Sequence, residues 1–117
     1  ACTYCDFHFK IAQKDKIEML KSMEKEIVER ARYLNPQKIR SIYFGGGTPS
    51  ILEDIDIKKI LSQIGKNYSI ADNAEITLEC NPDDLDEKKL TSLKNLGINR
   101  LSIGIQSFDD ADLKFMN

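Results

Sequence analysis

The sequence predicts an α/β fold in which parallel strands alternate with helices. The patterns run in the order helix, strand, helix, strand, helix, strand, helix, and three glycines at 45–47 directly follow the first strand. Strands separated by helices form parallel sheets with right-handed crossovers. Only three strands are visible, whereas a complete (β/α) barrel has typically about 250 residues. We therefore expect the 117 residues to be part of a larger domain, about half of a barrel.

The first two helices follow from apolar residues that recur every three or four positions. The first is expected over 17–34. The second carries apolar residues over 52–64, with Ser50 or Asp54 as candidate N-caps and Gly65 as its expected end.

The third and fourth helices are predicted by their starting residues. Leu85 and Leu90 flank Asp86 in the manner of a hydrophobic staple, and Gly97 is expected to end the third helix. The fourth helix is expected to begin at about residues 109–110.

The strands are expected over 39–44, 75–79 and 101–106, and Asn81-Pro82 closes the second because proline cannot continue a ladder. The carboxyl ends of parallel strands meet at one rim of the sheet. Three groups of residues follow the strand ends and are expected to share this rim. They are 45–48, Glu79 with Cys80, and Gln106 with Ser107.

Composition and charge exclude several classes of protein. Contents of 41% hydrophobic and 31% charged residues are ordinary for a soluble globular domain, and a formal charge of −2 gives no overall attraction to nucleic acid or to anionic membranes. No apolar stretch approaches the roughly 20 residues that span a bilayer, and no signal-peptide pattern is present. The odd number of cysteines, three, argues against a complete disulfide framework and favours a reducing, cytoplasmic setting.

The glycine run is a candidate ligand site. A strand delivers residues 45–47, which have no side chains, to one point, and Thr48 and Pro49 follow. Such a cluster at the carboxyl end of a strand is where α/β proteins usually hold ligands. A tight turn would explain one or two glycines, whereas three followed by threonine and proline favour a bound ligand.

Cys2 and Cys5 form a second candidate site. Their two-residue spacing lets both sulfurs bind one metal centre or form a redox pair. A zinc site could also recruit His8, and a thioredoxin-like pair needs only the two thiols. Spacing alone leaves these alternatives open.

Four segments of the chain occur in an order and at distances that together are more specific than any one of the motifs. They are residues 2–7 (CTYCDF), 43–50 (YFGGGTPS), Glu79 with Asn81-Pro82, and 100–108 (RLSIGIQSF). Together they resemble the radical S-adenosylmethionine (SAM) proteins related to oxygen-independent coproporphyrinogen III oxidase. The resemblance covers essentially the whole chain and implies a partial TIM barrel.

The resemblance implies a [4Fe–4S] cluster as cofactor. The family's motif has three cysteines, spaced by three and then two residues. Cys2 and Cys5 match the second and third, and the first would lie just before Ala1. Three thiolates hold three irons and leave the fourth open, where by resemblance SAM binds. With two of the three thiolates, the isolated chain is expected to hold no stable cluster and to be inactive.

The resemblance also implies which residues contact SAM. The glycine-rich segment contacts its methionine part, a glutamate binds its ribose hydroxyls, a glutamine completes the pocket, and a tyrosine packs beside the cluster or the adenine. These residues are Gly46, Gly47, Thr48, Glu79, Gln106 and Tyr4. Two neighbours are expected to be structural instead: Cys80 as a small buried residue, and Arg100 at the end of its strand away from the rim.

Phe7 distinguishes two branches of this family. The true coproporphyrinogen oxidases carry a further cysteine two residues after the third cluster cysteine, where this chain has Phe7. The pair Asp6-Phe7 is similar to the haem chaperones, which implies that the chain is part of a protein that binds haem and delivers it to haem proteins. The alternatives are a genuine coproporphyrinogen III oxidative decarboxylase of porphyrin biosynthesis, another radical SAM enzyme, and a zinc or redox protein that uses Cys2 and Cys5.

Overall fold

The computed structural model describes residues 15–34 and 37–116. Within them, helices and strands alternate, and the strands form one parallel sheet in the order β1-β2-β3. The elements are α1 (Lys16–Glu29), β1 (Ile39–Phe44), α2 (Asp54–Asn67), β2 (Ile70–Cys80), α3 (Glu87–Asn95), β3 (Arg100–Ile103) and α4 (Asp110–Met116). The predicted α/β class with parallel strands is confirmed.

One face of the sheet is apolar and packs against the helices. Phe44 of β1 pairs with Leu78 of β2, which in turn pairs with Leu101 of β3, so these side chains lie side by side on one face. Helices α1, α2 and α3 each contribute to the core on this face. The core residues are Leu20, Ile42, Phe44, Ile57, Ile60, Leu78, Cys80, Leu93 and Ile98.

The opposite face of the sheet is polar, because side chains alternate between faces along each strand. Thr77 on this face is buried, and the others are half-buried or exposed. The residues of this polar face are Ser41, Tyr43, Glu75, Thr77, Glu79, Arg100 and Ser102. The described part of the sheet therefore has one covered and one open face.

Two strand boundaries differ from the prediction by more than one residue. β2 begins at Ile70 rather than at residue 75, because Ile70 pairs with Ile39 beyond an irregularity in the β1 register. β3 ends at Ile103 rather than at residue 106. Its last partner is Cys80, the final residue of β2, so the residues after Ile103 have no strand to pair with.

Helix α1 ends at Glu29, earlier than the predicted residue 34. Beyond it, the Ala31 N–H donates to the Val28 carbonyl at 3.2 Å, which is the three-residue spacing of a tight turn rather than that of an α-helix. Tyr33 is 82% exposed, so continuing the helix would bury little apolar surface.

Both predicted limits of α2 are wrong, whereas the predicted start of α3 is correct. Glu53, and neither Ser50 nor Asp54, is the N-cap of α2, and the helix runs through Gly65 to Asn67, since a helix tolerates one glycine at a cost of about 1 kcal/mol. Asp86 caps α3, where its Oδ1 accepts from the Lys89 N–H at 2.6 Å. None of the described helices combines the length and hydropathy of a bilayer span.

Candidate functional site

The loop after β1 exposes its backbone at the rim of the sheet. Residues 45–48 are exposed, and the next two, Pro49 and Ser50, are buried. Gly46 and Gly47 have φ angles of 83° and 59°, in the left-handed region that favours glycine. A Cβ added at either would meet no atom within 4 Å. Backbone conformation, and not crowding, therefore requires glycine at these two positions.

The carboxylate of Glu79 holds this loop to the end of β2. Its Oε2 accepts from the Gly46 N–H at 2.9 Å, and its Oε1 accepts from the Tyr43 hydroxyl at 2.6 Å. These contacts join the last part of β1, the glycine loop and β2 through one side chain. The loop conformation is thus set by a residue distant in sequence.

The two hydrogen bonds also set the charge of Glu79. The Tyr43 hydroxyl and then the Gly46 amide hold the pKa of Glu79 below its ordinary value, because both stabilise the ionised form. The hydrogen bond to Glu79 in turn raises the pKa of Tyr43. At neutral pH, Glu79 is an anion and Tyr43 is its neutral donor.

Gly45 makes room for this pair. A Cβ at Gly45 would stand 2.6 Å from Cε1 of Tyr43 and 3.2 Å from the carboxyl carbon of Glu79. The first distance is far below van der Waals contact, so any larger residue would displace the tyrosine ring. The three glycines therefore serve two physical purposes: close approach at Gly45, and positive φ at Gly46 and Gly47.

A second connection joins the loops that follow β1 and β2. Ser50, which is 3% exposed, donates its hydroxyl to Asp84 at 2.5 Å and accepts from the Asn81 N–H at 3.1 Å. Ser50 is thus a bridge between the two rim loops, and the predicted role as a cap of α2 is wrong.

Ser50→Ala is expected to destabilise the fold by about 1–3 kcal/mol, because it leaves Asp84 and the Asn81 amide without their common partner. Urea unfolding measures this loss. Ser22→Ala is the matched control, since the exposed Ser22 hydroxyl donates only to the Glu18 carbonyl of its own helix. Equal midpoints for the two variants would contradict a bridging role for Ser50.

Gln106 follows β3 in a strained conformation at the same rim. Its φ is 67°, which is uncommon for a residue with a side chain. Its Nε2 lies 2.8 Å from the point where a Cβ of Gly104 would stand, and the Gly104 N–H donates to the Cys80 carbonyl at 3.1 Å. The end of β3 and the end of β2 are therefore adjacent, with Gln106 folded back over Gly104.

The remaining candidates fall into two groups. Cys80 is buried, and burial raises the pKa of its thiol, which makes it a poor metal ligand. Arg100 begins β3, at the end of that strand away from the rim, where it pairs with Thr77 and lies 3.5 Å from Glu75. The cluster candidates Cys2 and Cys5, together with Tyr4 and His8, lie outside the described residues.

Sequence reasoning missed Tyr43 as a member of the site. The sequence predicts it only as part of the strand 39–44 and of the motif 43–50, whereas its neighbours Ile42 and Phe44 are buried and Tyr43 itself is 56% exposed. The signal is present in the two-residue period, which places Tyr43 on the polar face. Its partner Glu79 can be found only from the register between β1 and β2.

Comparison with known proteins identifies the family. The profile described as the Radical SAM superfamily matches residues 1–117. The chain belongs to the radical SAM superfamily. Membership implies that the protein uses SAM and a [4Fe–4S] cluster, in agreement with the resemblance of the four motifs.

Individual relatives place the chain within the superfamily. It is 41% identical to the haem chaperone HemW of Buchnera aphidicola (subsp. Schizaphis graminum) over 97% of this chain and 31% of that protein. It is 37% identical to HemW of Bacillus subtilis over 93% of this chain and 29% of that protein. The chain thus spans about a third of the length of these curated relatives.

A solved structure shares the fold. The chain superposes on the radical SAM enzyme coproporphyrinogen III oxidase (HemN) of Escherichia coli with a TM-score of 0.84 and 30% identity, covering 92% of this chain and 25% of that one. The oxidase and the chaperones are the two branches that the sequence motifs resemble.

The described residues fit a nucleoside and amino-acid ligand. In the part of the chain that the structure describes, the amides of Gly47 and Thr48 donate to no acceptor. The Glu79 carboxylate offers about four lone-pair positions, and two of them accept the hydrogen bonds from Tyr43 and Gly46. The rim therefore presents free donors and free acceptors side by side, as a ligand with carboxylate and diol groups requires.

Proposed function

We propose that this chain is the amino-terminal portion of the radical SAM core of a longer haem chaperone, here called the parent protein. The observation that carries the proposal is the 41% identity to HemW over 97% of the chain. The open polar face of the sheet supports it, because parallel sheets are normally covered on both faces and a barrel would enclose this face. The missing parts of that core would be the first cluster cysteine and the later βα units.

In this proposal, Cys2 and Cys5 supply two of the three thiolates that hold the cluster, and an upstream cysteine supplies the third. When bound, the cluster and SAM supply one-electron chemistry. The role of the described residues in this proposal is to bind and orient SAM. Glu79 accepts hydrogen bonds from the ribose hydroxyls, and the amides of Gly47 and Thr48 donate to the methionine carboxylate.

Two further residues complete the proposed SAM site. Gln106 limits the pocket from the end of β3, where it has a positive φ and its side-chain Nε2 lies beside Gly104. By resemblance to the family, Tyr4 would pack beside the cluster or the adenine. With Gly46, whose amide is held by Glu79, these residues form the cofactor-binding set.

Gly45→Ala in the parent protein is expected to weaken SAM binding about three- to tenfold, because the added methyl group displaces the Tyr43 ring from its hydrogen bond to Glu79. The ring is exposed and can move, so the melting temperature should change little. Gly65→Ala is the control: its Cβ would lie 4.0 Å from the nearest atom, and helix propensity predicts a gain of up to about 1 kcal/mol. Equal SAM affinity in both variants would contradict the steric argument.

Haem binding tests the chaperone function. Phe7, where the oxidases carry a further cysteine, supports a protein that binds haem and delivers it to acceptor haem proteins in the cytoplasm. The parent protein should bind haem, transfer it to an apo-haem protein, and leave coproporphyrinogen III unchanged in an anaerobic assay with SAM and a reductant.

The structural match to HemN favours a second candidate, oxidative decarboxylation of coproporphyrinogen III. Conversion of that substrate by the parent protein would establish the oxidase and overturn the chaperone. Bound zinc without iron after anaerobic reconstitution would instead support the zinc or redox alternative.

A further inference from the structure

The side chain of Tyr43 crosses between two strands on the polar face. Tyr43 pairs with Thr77 in the register of β1 and β2, and Glu79 is the next residue of β2 on the same face. The phenol spans this diagonal and places its hydroxyl 2.6 Å from Oε1 of Glu79. Its ring is not held in the core, since 56% of the residue is exposed. The hydroxyl group, more than ring burial, is therefore the chemically useful part of Tyr43.

The surrounding groups define the direction of this hydrogen bond. From the glycine loop, the Gly46 amide donates to the other oxygen of Glu79. The hydrogen bond to Glu79, the largest cause, raises the pKa of Tyr43. From β3, a hydrogen bond with Ser102 and the positive charge of Arg100 lower that pKa. The net result is a protonated phenol facing an ionised carboxylate, so Tyr43 donates and Glu79 accepts.

Two hydrogen bonds, one to each oxygen, restrict the rotation of the carboxylate. Both oxygens turn together about the Cγ–Cδ bond, so the bonds from Tyr43 and Gly46 fix the plane of the carboxylate more tightly than the Gly46 amide alone. A ligand that needs the remaining lone pairs then meets them already oriented. Preorganisation of this kind raises affinity because less freedom is lost on binding.

We propose that Tyr43 is a positioning residue that orients Glu79 for the diol of a ribose. The inference rests on the proposed function, in which Glu79 receives the ribose of SAM. A phenylalanine would occupy the same place in β1 without the donor. Gly45 contributes to this arrangement, because the absence of a side chain at Gly45 leaves the space that the Tyr43 ring occupies.

The test compares SAM binding by the parent protein and by its Tyr43→Phe, Glu79→Gln and double variants, using equilibrium dialysis. Tyr43→Phe should weaken binding roughly three- to tenfold, as expected for the loss of one charge-assisted hydrogen bond. In the Glu79→Gln background, the same change should have almost no further effect. Tyr33→Phe is the matched control, since Tyr33 is 82% exposed on a turn.

The pH dependence separates positioning from a structural effect. Tyr43 lowers the pKa of Glu79, so its removal raises that pKa. SAM binding should then be lost at a higher pH in Tyr43→Phe than in the unchanged protein as the solution is acidified. A carbon-13 titration of the Glu79 carboxyl group gives the same shift without SAM.

Each other outcome overturns the proposal. The parent protein could bind SAM normally while Tyr43→Phe changes neither the SAM affinity nor the pH at which acidification abolishes binding. That result would remove the role of Tyr43 and leave the SAM site intact. An equal loss in both backgrounds would show that Tyr43 acts independently of Glu79. No SAM binding by the unchanged, cluster-loaded parent protein would overturn the proposed function, and the role of Tyr43 with it.

Discussion

Glu79→Gln in the parent protein is expected to weaken SAM binding by about 100-fold, because hydrogen bonds to a charged group contribute roughly 1.5–3 kcal/mol each. The ionised carboxylate accepts from the Tyr43 hydroxyl and the Gly46 amide at the same time. A glutamine has only one acceptor oxygen, so its NH₂ group would face either the Gly46 N–H or Tyr43. The change removes both the charge and the order of the loop, and equilibrium dialysis with SAM measures the result.

Glu75→Gln is the matched control for this prediction. Glu75 lies on the same face of the same strand, away from the rim, where it is 3.5 Å from Arg100. Both carboxylates are partly exposed, so the two variants differ mainly in position. Near-normal binding by Glu75→Gln and a large loss in Glu79→Gln are expected. Equal affinities of the two variants would show that Glu79 has no special part in the site.

Leu78→Ala is expected to have the largest effect on stability, a loss of about 2–5 kcal/mol. Leu78 is 0% exposed, and it pairs with Phe44 on one side and Leu101 on the other in the middle of the sheet. Its truncation leaves a cavity between three strands and the helices. Because Leu78 directly precedes Glu79, the same change is expected to loosen the site. Urea unfolding of the parent protein measures the loss.

Leu90→Ala is the control for core packing. Leu90 lies on α3 and is 43% exposed, so the same substitution removes less apolar surface from the interior. The loss of stability should be less than half of that in Leu78→Ala. A loss as large in Leu90→Ala would contradict the placement of the core on the inner face of β2.

Much of the site could be predicted because it depends on short-range patterns. Alternating helices and strands place the strand ends on one rim, and this alone brings residues 45–48 to the same rim as Glu79. Asp86 as a helix cap is equally local, since the side chain bonds to an amide three residues later. The family motifs then indicate which ligand such a rim could hold.

Other features depend on contacts that no local pattern contains. The end of β3 is set by the end of β2, since Ile103 has Cys80 as its last partner. Tyr43 meets Glu79 only through the register of two strands, and Ser50 meets Asp84 across two loops. The predicted end of α2 at Gly65 was likewise wrong, because the packing of α2 outweighs the cost of one glycine.

The central claim is that the rim formed by residues 45–48 and Glu79 binds SAM. The most direct measurement is hydrogen–deuterium exchange of the anaerobically reconstituted parent protein with and without SAM. The account predicts an iron-loaded protein in which SAM slows exchange in peptides that cover residues 45–50 and 79–81. Binding of SAM without protection of these peptides would contradict it.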